Sequence, residues 1–91
     1  MPTVWIPALL RHLTDGQESV RVPGATLGEV IDQLDAKFPS IKARLCQGED
    51  VRPGIAVVID AQMARAGLSE SVRDKSEIHF IPAVGGGEQE R

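Results

Sequence analysis

Cysteine, aromatic rings and long apolar runs are all scarce in this sequence, and each shortage removes a class of protein. The lone thiol, Cys46, cannot close an internal disulfide, which excludes a small secreted scaffold held by disulfide staples. Aromatic residues make up 3% of the chain, as Trp5, Phe38 and Phe80, so the core must come from valine, isoleucine and leucine. No apolar run reaches the length of a membrane helix, and no basic stretch leads into an apolar one at the N-terminus. Neither a span nor a signal peptide is predicted, and a reducing, cytoplasmic setting is the expectation. The ten basic residues are scattered under a net charge of −3, which argues against nucleic acid as a partner.

The residue groupings of catalysis are also missing. His12 and His79 stand alone, with no cysteine, aspartate or histidine at metal-ligand spacing. No glycine-rich loop leaves a strand to open a helix, so a phosphate cradle has no candidate. Glu49-Asp50 and Asp32 with Asp35 read as the carboxylates of an acidic surface, and Cys46 as a structural thiol. The expectation is a carrier or binding module that is not an enzyme, with no metal and no bound cofactor.

The rest suits one small core: 91 residues, 42% hydrophobic and 25% charged, too apolar for disorder. Thr3 to Ile6 reads as a strand, with Val4 and Ile6 on one face and Trp5 on the other. Asp15-Gly16 is a hairpin signal, and Ser19 to Val22 alternates as the returning strand, closed by Pro23-Gly24. Leu27, Val30, Ile31, Leu34 and Phe38 form one helical stripe. Thr26 and Glu29 supply a capping box, and Pro39 stops the helix. Ile41 and Leu45 suggest a further short turn. Ile55 to Ile59 is almost wholly apolar, as a strand inside a sheet would be. Asp60-Ala61 turns it, residues 62–73 look irregular around Leu68 or Val72, and Glu77 to Ile81 is a last strand ending at Pro82. Ile78 and Phe80 face one way, His79 and Ile81 the other.

One helix with one apolar stripe covers one face of a sheet. The predicted fold is therefore α+β, a mixed sheet with one main helix packed across one face and the first and last strands adjacent and parallel. This is the β-grasp (ubiquitin-like) arrangement. Residues 1–84 would form the domain and residues 85–91 a flexible tail. Trp5, Val58, His79 and Ile81, with Ala56, fall on the uncovered face and would make an apolar docking patch.

Glycine is the residue out of place. Three of nine, Gly85, Gly86 and Gly87, stand in one run near the C-terminus. The segment Phe80-Ile81-Pro82-Ala83-Val84-Gly85-Gly86-Gly87 resembles the end of the MoaD/ThiS family of ubiquitin-like sulfur carriers. Ile6-Pro7, Leu9-Leu10-Arg11 and Thr26-Leu27-Gly28 are similar to those of the carriers serving cysteine biosynthesis, the CysO type. The resemblance implies that an E1-like (MoeB/ThiF-type) adenylating enzyme uses ATP to activate the C-terminal glycine. Sulfur then replaces AMP, and the resulting thiocarboxylate serves a sulfur-accepting synthase. Glycine suits such a stem, since without a Cβ it threads closely past another backbone. Pro82, Ala83, Val84 and Gly85 would run into the partner, with Gly86 and Gly87 as the functional pair.

The chain departs from that pattern by continuing through Glu88-Gln89-Glu90-Arg91, which leaves no free glycine carboxylate. The expectation is a precursor cut between Gly87 and Glu88 by a JAMM-type metalloprotease, with a cut after Gly86 as the other register. Two further functions remain open at this stage. The glycine carboxyl could form isopeptides with lysine, or the domain could bind partners non-covalently with an inert tail.

Overall fold

Residues 1–82 are described by a computed structural model. In chain order it has strands β1 (Thr3–Trp5) and β2 (Ser19–Arg21), then helices α1 (Leu27–Lys37) and α2 (Ile41–Leu45). Strands β3 (Cys46–Gln47), β4 (Asp50–Val51), β5 (Ile55–Ile59), β6 (Gln62–Met63) and β7 (Glu77–Pro82) follow. Five of these strands form one sheet in the order β2-β1-β7-β5-β6, while β3 and β4 pair as a separate ribbon. β1 and β7 are parallel, as the sequence predicts, and β5 lies antiparallel on the other side of β7. The last strand is thus the middle strand.

Alternation along the strands separates the two faces. Val20, Val4, Ile78 and Ile59 stand in register across β2, β1, β7 and β5, and all four are buried. Leu27, Val30, Ile31 and Leu34 of α1 are fully buried in the same core, which Ile41 and Leu45 of α2 complete. Burial of each such side chain contributes about 1.5–3 kcal/mol against the conformational entropy of the chain. Phe38, the last residue of the predicted stripe, caps α1 and is half-buried.

The helix start differs in one bond from the expected box. The Thr26 hydroxyl accepts from the Glu29 N–H at 3.2 Å, but the Glu29 carboxylate accepts from Ala25 rather than Thr26, at 2.9 Å. Gly28 permits the first turn to lie against the segment after β6, because a Cβ there would meet the Leu68 carbonyl oxygen at 3.2 Å. Val72 is buried and Leu68 half-buried, so both anchor that segment.

Other parts depart from the sequence reading. Ala8–Thr14 is a 3₁₀ helix inserted between β1 and β2. Asp15 (φ 55°) and Gly16 (φ 80°) have the left-handed backbone of a hairpin turn, yet they close this helix instead of joining two strands directly. The segment read as irregular contains β6 and a 3₁₀ turn at Gly67–Ser69. Asp60 (φ 51°) and Ala61 (φ 69°) make the tight turn between β5 and β6. That turn is clasped to β7: the Ser76 hydroxyl donates to Asp60 Oδ2 at 2.6 Å and the Glu77 N–H to Oδ1 at 3.0 Å.

These two bonds hold the Asp60 carboxyl below its ordinary range, the Ser76 hydroxyl contributing most. A carboxyl depressed by the fold stabilises it above the unfolded value, and that contribution is lost as pH falls through the folded value. Asp60→Asn keeps the shape and tolerates the left-handed backbone but carries no charge. The variant is expected to have a lower urea midpoint than wild type at neutral pH, with the difference closing below about pH 4. A difference independent of pH would contradict the clasp.

Candidate functional site

The face of the sheet away from α1 is the candidate site, and register alone assembles it. Trp5 of β1 stands opposite His79 of β7, which stands opposite Val58 of β5, which stands opposite Met63 of β6. Ala56 and Ile81 pair in the neighbouring row. Trp5, Val58, His79 and Ile81 are therefore brought onto one surface, as the alternation of their strands dictates. Met63, 55% exposed, extends the row. The sequence hid it, because two residues between turns carry no alternation to read.

Trp5 is the best-fixed group on this face. Its indole stacks on the His79 ring, with centroids 5.7 Å apart and planes within 6°. Its Nε1 donates to Glu77 Oε1 at 3.1 Å. Glu77 and His79 are two apart on β7, so one strand supplies both the hydrogen-bond acceptor and the stacking partner. Trp5 is accordingly half-buried, with its polar edge satisfied, while His79 and Ile81 are exposed. The surface is a flat apolar platform with a polar margin at Asp60, Lys75 and Glu77. Exposed apolar patches rimmed by polar residues are, as a class, features of interaction surfaces.

The other reactive residues lie elsewhere. Cys46 is buried at the end of α2, and burial pushes its thiol up, opposite to what a nucleophilic thiolate requires. Asp35 Oδ1 accepts from the Ser40 and Lys42 N–H groups at 3.2 and 3.0 Å, which ties down the start of α2. Asp32 pairs with the Lys42 ammonium on the surface. Both carboxylates thus have local structural uses. His12 is exposed on the 3₁₀ helix. Among the described residues no group of three or more histidine, cysteine or acidic side chains could hold a metal, and no helix is long and apolar enough to cross a membrane.

The strand carrying this face leads to the tail. Pro82 is exposed and stands opposite Ile55 at the final rung of β7. The remaining site residues of the sequence reading, Ala83, Val84, Gly85, Gly86, Gly87 and Glu88, lie outside the described residues.

Comparison with known proteins places this geometry in context. The sequence model of the ThiS family matches residues 4–87. The chain is 36% identical over 92 residues to the sulfur carrier protein CysO of Mycobacterium tuberculosis, covering 93% of this chain and 97% of that protein. It superposes on the crystal structure of the Amycolatopsis orientalis BexX/CysO complex with a TM-score of 0.88 and 38% identity, over 96% of this chain and 100% of that one. The small archaeal modifier protein 1 of Methanosarcina acetivorans matches with a TM-score of 0.77 and 25% identity, over 94% and 95% of the two chains.

The stacked pair can be tested directly, since Trp5 is the single tryptophan. His79→Ala uncovers one face of the indole and is expected to shift its fluorescence maximum to longer wavelength without unfolding the sheet. An unchanged maximum in a folded variant would contradict the stack.

Proposed function

The chain belongs to the ThiS family, and from that premise we propose that it is a sulfur carrier whose working end is Gly86-Gly87. In this reading a JAMM-type metalloprotease removes residues 88–91 and exposes the Gly87 carboxylate. An E1-like adenylating enzyme then uses ATP: a carboxylate oxygen attacks the α-phosphorus, pyrophosphate leaves, and an acyl-adenylate forms. A sulfide sulfur next attacks the acyl carbon, AMP departs, and the thiocarboxylate delivers its sulfur to an electrophile bound by an accepting synthase. The domain supplies no catalytic group and acts as a protein-bound co-substrate in the cytoplasm.

The observation that carries the proposal is where the family match stops. It runs through all three glycines to residue 87 and leaves out Glu88 to Arg91. That limit favours a scissile bond between Gly87 and Glu88 over one after Gly86. The name of the mycobacterial relative, a sulfur carrier protein, supports the chemistry over non-covalent binding. The BexX/CysO complex supports docking onto a protein partner.

The body fits the task physically. Gly87 is five residues beyond Pro82, so a fully extended stem reaches at most about 18 Å from the sheet. Any enzyme acting on that glycine must press close to the domain. The platform of Trp5, Val58, His79 and Ile81 on the same strands is the proposed contact, Ile81 lying next to the stem. A second reading, conjugation of the glycine carboxyl to lysine, is favoured by the likeness to the archaeal modifier protein.

Intact-mass measurement separates these readings. The 91-residue chain is expected to lose Glu-Gln-Glu-Arg on incubation with the metalloprotease. The trimmed chain should then gain about 16 Da with the adenylating enzyme, ATP and sulfide, as oxygen is exchanged for sulfur. Gly87→Pro, with its ring and fixed φ, should block both steps. Ladders on other proteins would establish conjugation instead, and an unchanged mass with every peptidase and adenylating enzyme of the host would overturn the proposal.

A further inference from the structure

Sulfur occurs at three positions of the chain, Met1, Cys46 and Met63, in unlike surroundings. Cys46 is buried where α2 passes into β3, and burial pushes its thiol up, so it holds little of the thiolate that oxidants attack. A thioether needs no deprotonation, and access governs its reactivity. Met63 is 55% exposed on β6, the outermost strand of the sheet, which pairs with β5 on one side. Met1 is exposed as well, at 60%, but it precedes β1 and its ammonium is paired with Asp74.

Met63 also holds a position that the other two lack. It stands directly opposite Val58, so antiparallel pairing sets both side chains on the face that α1 leaves uncovered. The row Trp5, His79, Val58, Met63 crosses four strands, and Met63 is its outer apolar end. An oxidant of the peroxide class therefore reaches a sulfur that is part of the platform. The step balances with no other reactant. The sulfur lone pair takes one peroxide oxygen, the S–O bond forms as the O–O bond breaks, and the second oxygen accepts the first one's proton and leaves as water. Sulfur is oxidised by two electrons and the peroxide is reduced, which turns an apolar thioether into a polar sulfoxide.

We infer that Met63 is a peroxide-sensitive modification site whose sulfoxide puts a polar oxygen into the apolar row and weakens association through this face. Pressed against apolar groups, that oxygen loses its water, which is unfavourable unless a donor meets it. The fold is left alone, because Met63 is exposed and stands outside the buried core. The consequence for sulfur transfer rests on the docking reading above, whereas the site itself is testable with no partner enzyme present.

The experiment treats the full 91-residue chain with hydrogen peroxide. Met63 is expected to gain one oxygen, about 16 Da, while Cys46 still alkylates fully after unfolding. Peptide fragmentation places the oxygen on Met63, which an intact mass alone would not separate from exchange of oxygen for sulfur. Retention on a hydrophobic-interaction column then reads the face. Oxidised wild type should elute earlier than untreated wild type. Met63→Leu, which has no sulfur there, should keep its retention after peroxide even though Met1 is oxidised. Met63→Gln, polar and of similar length, should elute early without treatment. Equal urea midpoints for all forms are expected, separating a changed surface from a lost fold. Loss of the Cys46 thiol before Met63 gains oxygen overturns the inference. So does unchanged retention of oxidised wild type, or an equal shift in peroxide-treated Met63→Leu.

Discussion

The hydrogen bonding of β7 on both of its edges is the constraint from which the other features follow. Its parallel bonds to β1 bring residues 3–5 against residues 77–79, and its antiparallel bonds to β5 bring in residues 55–59. A strand satisfied on both edges belongs at the centre of a sheet, and its two faces must then have different fates. Ile78 and Phe80 enter the core under α1, while His79 and Ile81 emerge on the uncovered side. The tail therefore leaves from the best-anchored strand of the domain.

The two faces are held by different physics. The covered face is aliphatic, and its stability is the sum of many buried leucine, isoleucine and valine side chains. The uncovered face cannot rely on burial, so it is ordered by specific geometry: the indole of Trp5 lies flat on His79 and bonds to Glu77. Rings already fixed in this way would lower the ordering cost of any association made through this face. Asp60, Lys75 and Glu77 border the patch with polar groups.

Much of this was legible in the residues. The stripe from Leu27 to Leu34 found α1, the apolar run at Ile55 found β5, and the alternation of Glu77 to Ile81 found β7 and the facing of its side chains. The parallel pairing of β1 with β7 followed from having one helix to cover one face. The 3₁₀ helix at Ala8–Thr14 was missed, although half-buried Leu10 and Leu13, three apart, carry its period. Short pairs such as β3 with β4, and β6, have too few residues to show a period of two, and tertiary contacts alone define them. The reciprocal capping bond fell on Ala25 because a glutamate side chain can reach either of two adjacent N–H groups. Within the site, register recovered the platform from single letters, whereas Met63 joins it only through the pairing of β6 with β5 and could not be read from spacing.

The central position of β7 also has a mechanical side. A pull applied to the chain beyond Pro82 would enter the domain at that residue. There it runs along a strand whose hydrogen bonds lie across the direction of pull, to β1 on one edge and to β5 on the other. Those bonds are loaded together in shear instead of being opened one after another like a zip. A strand at the sheet's edge would meet that load with one row of bonds; β7 meets it with two.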